Sequence, residues 1–333
     1  MHLPEGIAQK IAAYMLSLLV AGSPLPSVTP QTVTISFTGD VTLSGINEQR
    51  GDSYSFYAYE EKYPPEYYFE KVQNIFTNDD FTFINFEGAL TDDEALKVRT
   101  KPGTNNFWFK GPVSNAEILT AGGVDGVSLS NNHSRDYGDK GLSDTIAAME
   151  NNAILWGNEG KTVYFRKHGV TFAIICAWTP EKSYFTPLYD RLERERYRSD
   201  YQILFLHGGT EGTSQVNDWR ASNCRKLIDS GADLIINSGP HVLQPIERYK
   251  DKVIAYSLGN FCFGGNKRPN KYTIILQAKF YVYDGKIFGE DIGIFPCYVY
   301  TEEYNNYQPA PITDADEIKK VTDAVFAPVQ IGG

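Results

Sequence analysis

The chain has 333 residues, 42% hydrophobic and 22% charged, with 22 Tyr and 19 Phe. That composition belongs to a folded globular protein and excludes a disordered or fibrous one. Lys and Arg total 31 against 41 Asp and Glu, for a net charge of −10. This balance argues against nucleic acid as the main partner, because phosphate neutralisation needs clustered cations.

Residues 11–22 form an apolar run with Lys10 as its only basic flank. The run is too short to span a bilayer but matches a signal-peptide core, and Leu19-Val20-Ala21-Gly22-Ser23 is similar to a lipoprotein cleavage box with Ser23 in the place of Cys. The other reading is a docking helix with Ile7, Ile11, Tyr14, Met15 and Leu18 on one face. Residues 23–30 hold three prolines and read as a linker, so residues 31–333 are expected to form a single domain.

Strands are predicted at 32–37, ending at Gly39-Asp40, and at 81–86, ending at Glu87-Gly88. Others fall at 126–130, ending at Asn131-Asn132-His133, at 202–206, ending at His207, and at 234–236, ending near His241. Helical patterns at 142–151 and 217–230 lie between them, the second closed by Gly231. Residues 54–69 carry eight aromatics, read as packing under a surface loop or as a stacking platform for a polymer. The basic run 191–198 is interleaved with Glu193 and Glu195 and reads as a solvated helix face. Cys176, Cys224, Cys262 and Cys297 are far apart, and three of them sit in apolar runs, so buried free thiols are expected. Residues 252–256, 272–282 and 286–300 alternate as strands, with a hairpin at Asp284-Gly285, and predict a second, mainly antiparallel sheet. A terminal helix is expected at 313–325 with Thr313 as its cap.

Five strands each deliver polar residues just past their C-terminal ends, the edge where α/β sheets bind ligands. Asp40, Glu87, Asn132, His207 and His241 supply the carboxylate, amide and imidazole donors that a divalent cation accepts. His133 stands beside this set as a general-acid candidate. Lys101 and Lys110 are two cations near the expected mouth, suited to an anionic substrate, while His2 and His168 match nothing and read as solvent-facing.

The motifs Thr38-Gly39-Asp40-Val41, Asn85-Phe86-Glu87-Gly88, Asn132-His133-Ser134-Arg135-Asp136-Tyr137-Gly138, His207-Gly208-Gly209-Thr210-Glu211, Gly239-Pro240-His241 and Ser257-Leu258-Gly259-Asn260 occur in that order. Together they resemble the CapA family of poly-γ-glutamate capsule synthesis proteins, within the calcineurin-like metallophosphatase superfamily. The resemblance implies a four-layer α/β/β/α sandwich. It also implies one or two divalent ions (Mn, Zn or Fe), with Asp40 and His241 on the first, Asn132 and His207 on the second, and Glu87 bridging. His133, oriented by Asp136, would protonate a leaving group as hydroxide generated at the metal attacks. Asn85, Glu211 and Asn260 would bind substrate or support the ligands. The implied substrate is an anionic polymer or peptide and the implied location the bacterial cell surface, with capsule-synthesis membrane proteins as partners. Departures from the pattern are an absent His near Asp40 and a lost first His before His241, in the segment Asn237-Ser238-Gly239-Pro240-His241. Each ion would keep three protein ligands, which predicts weakened affinity and leaves a non-catalytic assembly protein as the alternative. The Asn132-His133 pair is also similar to the signature of 5′-nucleotidases, which implies a phosphomonoesterase as a further alternative.

Overall fold

The structure, a computed structural model, describes residues 3–98, 107–329 and 331–332. A run rich in β-branched and aromatic residues makes Gln31–Val41 the first strand, β1. Phe81–Phe86 (β2), Gly126–Ser128 (β3) and Leu155–Gly157 (β4) follow, each parallel to the one before. Val163–Lys167 (β5), Val170–Trp178 (β6), Tyr201–His207 (β7), Leu234–Ser238 (β8), Leu243–Tyr249 (β9) and Lys252–Leu258 (β10) form a second sheet. Its order is β9-β10-β8-β7-β6-β5, parallel at the centre and antiparallel at both edges. Tyr272–Tyr283 (β11), Lys286–Tyr298 (β12) and Ala310–Pro311 (β13) return to the first sheet, giving it the order β13-β12-β11-β1-β2-β3-β4.

Side-chain alternation then decides the layers. Phe37 and Phe83 of one sheet meet Phe172, Ile203 and Phe205 of the other in a core between the sheets. Ile84, Phe86 and Val127 point the opposite way, beneath Ala116–Gly122 (α2) and Gly138–Asn151 (α3). Leu204, Leu206 and Ile235 lie under Thr186–Glu195 (α4) and Asp218–Asp229 (α5). The architecture is the four-layer α/β/β/α sandwich.

Three expectations are corrected. The last third is not a sheet of its own: β10 pairs parallel with β8 inside the second sheet, whereas the hairpin β11–β12 pairs antiparallel with β1 in the first. Alternation identifies a strand without naming its neighbour. Arg191 is not on a solvated face; it is buried, and its guanidinium donates to the Cys176 carbonyl at 2.6 Å and the Asn158 carbonyl at 3.2 Å. The terminal helix Ala315–Val325 is capped by Asp314, which accepts from the Glu317 amide at 2.9 Å, not by Thr313. The helix Glu5–Val20 (α1) lies against the β11–β12 hairpin: Ile11 is buried, and the Tyr14 hydroxyl donates to Asp284 at 2.7 Å. Among the described residues, no helix is long and apolar enough to cross a membrane. All four cysteines are buried free thiols, and Phe56, Tyr57, Tyr68 and Phe69 of the aromatic run are buried as packing.

An acid immediately before each of four strands sets the register that brings the polar strand ends level. Asp80 accepts from the Thr34 amide at 2.9 Å and Asp125 from Thr82 at 2.8 Å. In the second sheet Asp200 accepts from Thr171 at 2.8 Å and Asp233 from Gln202 at 2.9 Å. At the far end the two sheets are stitched. The Asp40 amide donates to the Gly259 carbonyl at 3.0 Å, and the Phe261 amide donates to the Asp40 carbonyl at 2.8 Å. The approach is so close that a Cβ on Gly39 would lie 1.7 Å from the Gly259 oxygen, so only glycine fits.

Burial beside Asp125 and Asp80 pushes the Asp79 carboxyl up to about 6, against hydrogen bonds from Ser36 and Thr82. A folded-state value above the unfolded one means that ionising Asp79 costs stability as pH rises from about 4 to 6, and the full cost is present above that window. Asp79→Asn keeps the Thr82 hydrogen bond and should stabilise the chain at pH 7 by about 1–2 kcal/mol, after discounting for partial exposure. Urea unfolding at pH 7 and at pH 3.5 checks this, with the gain expected to vanish at the lower pH.

Candidate metal centre at the joined sheet edges

The strand ends converge as the sequence implied. Asp40 closes β1, Glu87 follows β2, Asn132 and His133 follow β3, His207 ends β7, and His241 follows β8. Asp40 and Glu87 are wholly buried, and His207 is nearly so. Asp40 Oδ2 lies 3.0 Å from His241 Nδ1, while Asp40 Oδ1 lies 3.6 Å from His207 Nδ1. Glu87 Oε1 is ringed by three imidazoles, with His133 Nε2 and His207 Nε2 at 3.7 Å and His241 Nε2 at 3.9 Å. Neither Glu87 oxygen has a hydrogen-bond partner among the described residues.

That spacing identifies what the group could hold. Donors sharing an ion at about 2.0–2.2 Å stand roughly 3–3.5 Å apart, farther than donors sharing a proton. One ligand atom each of Asp40, Glu87 and His207 lies within 4.8 Å of the others, and all three residues are buried. A bare carboxylate in such a place carries a large desolvation cost, which a cation would remove. The buried Asp/Glu/His group can therefore hold a metal, and the residues fit a divalent ion.

The electrostatics agree. Burial works to raise the Asp40 carboxyl, but hydrogen bonds and charge from His207 and His241 win and hold it far below the usual carboxylate range. Glu87 is pushed well above its usual value by burial and by the Asp40 charge. Burial lowers His207. For His241 burial also works downward, but Glu87 and Asp40 overturn it and raise the imidazole to about 10. Asp40 and His241 thus favour each other's charged forms, while burial and the Asp40 charge disfavour the charged form of Glu87.

Asn132 Oδ1 is 2.8 Å from His207 Nε2. His133 is joined to Asp136 through Nδ1 at 2.7 Å, and Phe109 packs edge-on against its ring. Asp136 is buried and also accepts from the Phe109 amide at 3.2 Å; the turn ends at Gly138, whose φ is +69°. Asn260 Oδ1 is 2.9 Å from His241 Nδ1, and Glu211 is exposed on the wall of a cavity of about 180 Å³ that His133 and His241 also line. Asn85 lies deeper than a substrate contact would: fully buried, its amide donates to Asp40 at 2.7 Å and faces His207 Nδ1 at 3.1 Å. Lys110 does not face this mouth; it is buried, donating to the Asp93 carbonyl at 2.9 Å. Lys101 and His2 lie outside the described residues, and His168 is exposed in a turn.

Sequence reasoning missed several supports. Asn131 donates to Asn85 at 3.1 Å and to the Phe86 carbonyl at 2.7 Å, and its oxygen takes the His133 amide at 3.0 Å; its place inside the Asn131-Asn132-His133 run was the available signal. Ser238 has its hydroxyl 3.1 Å from His207 Nδ1. Arg220, buried in α5, donates to Asn237 at 2.9 Å and to the Thr179 carbonyl at 2.7 Å, bracing the strand ends on both sides of His207. His241 has a φ of +59°, an uncommon conformation for a side chain of its size.

The fold and this cluster of donors define a four-layer α/β/β/α protein with a candidate metal centre at its joined sheet edges. The family described as "Bacterial capsule synthesis protein PGA_cap" matches residues 34–265, and the chain belongs to that family. The chain is 27% identical to the PGA biosynthesis protein CapA of Bacillus subtilis (strain 168) over 274 residues, covering 74% of this chain and 67% of the relative. It is 24% identical to the capsule biosynthesis protein CapA of Bacillus anthracis over 292 residues, covering 80% and 68%. A solved hypothetical protein from Thermus thermophilus superimposes with a TM-score of 0.46 at 13% identity, covering 79% of this chain and 99% of that one.

Because Glu87 is buried without a hydrogen-bond partner among the described residues, Glu87→Met should raise the stability of the chain in chelator by about 1–3 kcal/mol. Urea unfolding in EDTA checks this; an unchanged or lower midpoint would show that Glu87 already has a favourable partner.

Proposed function

We propose that the chain is a metal-dependent hydrolase acting on an amide-linked, poly-γ-glutamate-like polymer in capsule synthesis or processing. The observation that carries this reading is Glu87: a buried carboxyl group, without a hydrogen-bond partner among the described residues, facing three imidazoles. Asp40, Glu87, Asn132, His207 and His241 would hold one or two divalent ions, with Mn, Zn and Fe matching the mixed oxygen and nitrogen donors. Such an ion supplies electrophilic polarisation of a carbonyl and acidifies water.

The remaining work falls to the chain's own side chains. Asp136 fixes the His133 tautomer by occupying Nδ1, which leaves Nε2 turned toward Glu87 and the cavity. In amide hydrolysis a water oxygen adds to the carbonyl carbon, the C–N bond breaks, and the leaving nitrogen takes a proton from Nε2 of a His133 protonated on both ring nitrogens, Nδ1–H staying on Asp136. A proton from the water restores His133, and the products are a carboxylate and an amine. Phe109 covers the His133 ring and limits its contact with bulk water.

A second reading, a non-catalytic assembly protein working with capsule-synthesis membrane proteins, has one observation in its favour. Apart from Glu87 the cluster is internally satisfied, since Asp40 already accepts from Asn85 and from the Gly239 amide at 3.2 Å. Turnover separates the two. Incubating poly-γ-glutamate with the Mn²⁺-supplemented chain and following chain length by gel filtration should show shortening. His133→Ala should slow it at least about 100-fold while retaining the ion. No shortening by the wild-type chain would favour the assembly reading.

A further inference from the structure

The cavity in front of His133 and His241 has a composition that the reaction alone does not require. Its apolar wall is Phe107, Phe109 and Phe263, and its polar rim is Asn260, Asn266 and Asn270, together with Glu211. Glu211 is the one acidic side chain among the described lining residues, and no lysine or arginine is among them. It is exposed and takes no hydrogen bond from a described residue, yet the turn that carries it is tightly fixed. At Gly208 a Cβ would lie 2.5 Å from Arg220 Nη2 and 2.6 Å from the Thr179 carbonyl oxygen, so the backbone is wedged against the brace behind His207. On the other side of Glu211, the Gly212 amide donates to the Pro240 carbonyl at 2.9 Å, tying the turn to the segment that carries His241.

We infer that Glu211 reads a free amino group, so that the cavity accepts the amino end of an amide-linked chain and presents the bond next to it to His133. The inference rests on the amide reading above and adds which end of the substrate is recognised. An ammonium brings three N–H donors and a positive charge; a fixed carboxylate and neighbouring amide oxygens are the acceptors that match it. Asparagine side chains carry both a donor and an acceptor and pair with the N–H and C=O of an amide link, while the phenylalanine rings cover methylene groups. A phosphate monoester would bring two negative charges toward Glu211, whose carboxylate can only accept.

The test compares two synthetic probes: a γ-linked glutamate tetramer with a free amino end and the same tetramer N-acetylated. Binding of each to the full chain with Mn²⁺ present is measured by titration calorimetry. The free-amine tetramer should bind about tenfold more tightly, the size of one charge-assisted hydrogen bond in a partly wet site. In Glu211→Gln that ratio should fall to about one. Equal affinities in the wild-type chain, or a preference that survives Glu211→Gln, would overturn the inference and leave the amide reading standing. Failure of both tetramers to bind would overturn the amide reading and this inference with it.

Discussion

Taking a carboxylate out of water without a hydrogen bond is among the most costly things a fold can do, and the interior of this protein is arranged around one such group. Glu87 is wholly buried, its oxygens are unpartnered among the described residues, and three imidazole nitrogens face one of them at 3.7–3.9 Å. A proton makes the arrangement tolerable and a cation would make it favourable. Stability and function pull apart at this residue, as is expected where a binding site is built into a core.

The rest of the architecture holds that group in place. Five strand ends from two different sheets must arrive within a few ångströms of one point, and no single sheet can deliver them. Aspartates preceding the strands fix register at one end of each sheet. At the other end the Gly259–Phe261 segment leaves the second sheet and pairs with β1 of the first. Asp40 sits on that seam, so the residue that bonds His241 also joins the two halves of the sandwich. Beneath it, Asn85 links Asp40, His207 and Asn131 in a buried amide network, and a small displacement of one sheet would be felt by every donor.

Much of this is legible in the sequence because parallel strands write their pattern locally: an apolar run, then an abrupt polar residue. Asp40, Glu87, Asn132, His207 and His241 each stand out that way, and the resemblance of their order to the CapA family supplies the fold. What cannot be read is partnership across distance. The alternation of 272–298 declares a hairpin but not that β1 is its neighbour. Arg191 looks like surface charge because its acceptors, the Cys176 and Asn158 carbonyls, are backbone groups that carry no sequence signal. Asn85 reads as a substrate contact because its place beside Glu87 gives no hint of depth. Lys110 lies in a three-residue strand whose pairing turns its side chain away from the mouth.

Metal content decides the central claim. Purified chain is incubated with Mn²⁺ or Zn²⁺, desalted, and analysed by inductively coupled plasma mass spectrometry, with Asp40→Ala and His207→Ala in parallel. One or two ions held per wild-type chain, with the number reduced in both variants, is the result this account predicts. A wild-type chain that emerges without ions would contradict it, leaving Glu87 a protonated side chain and the cluster a scaffold for assembly.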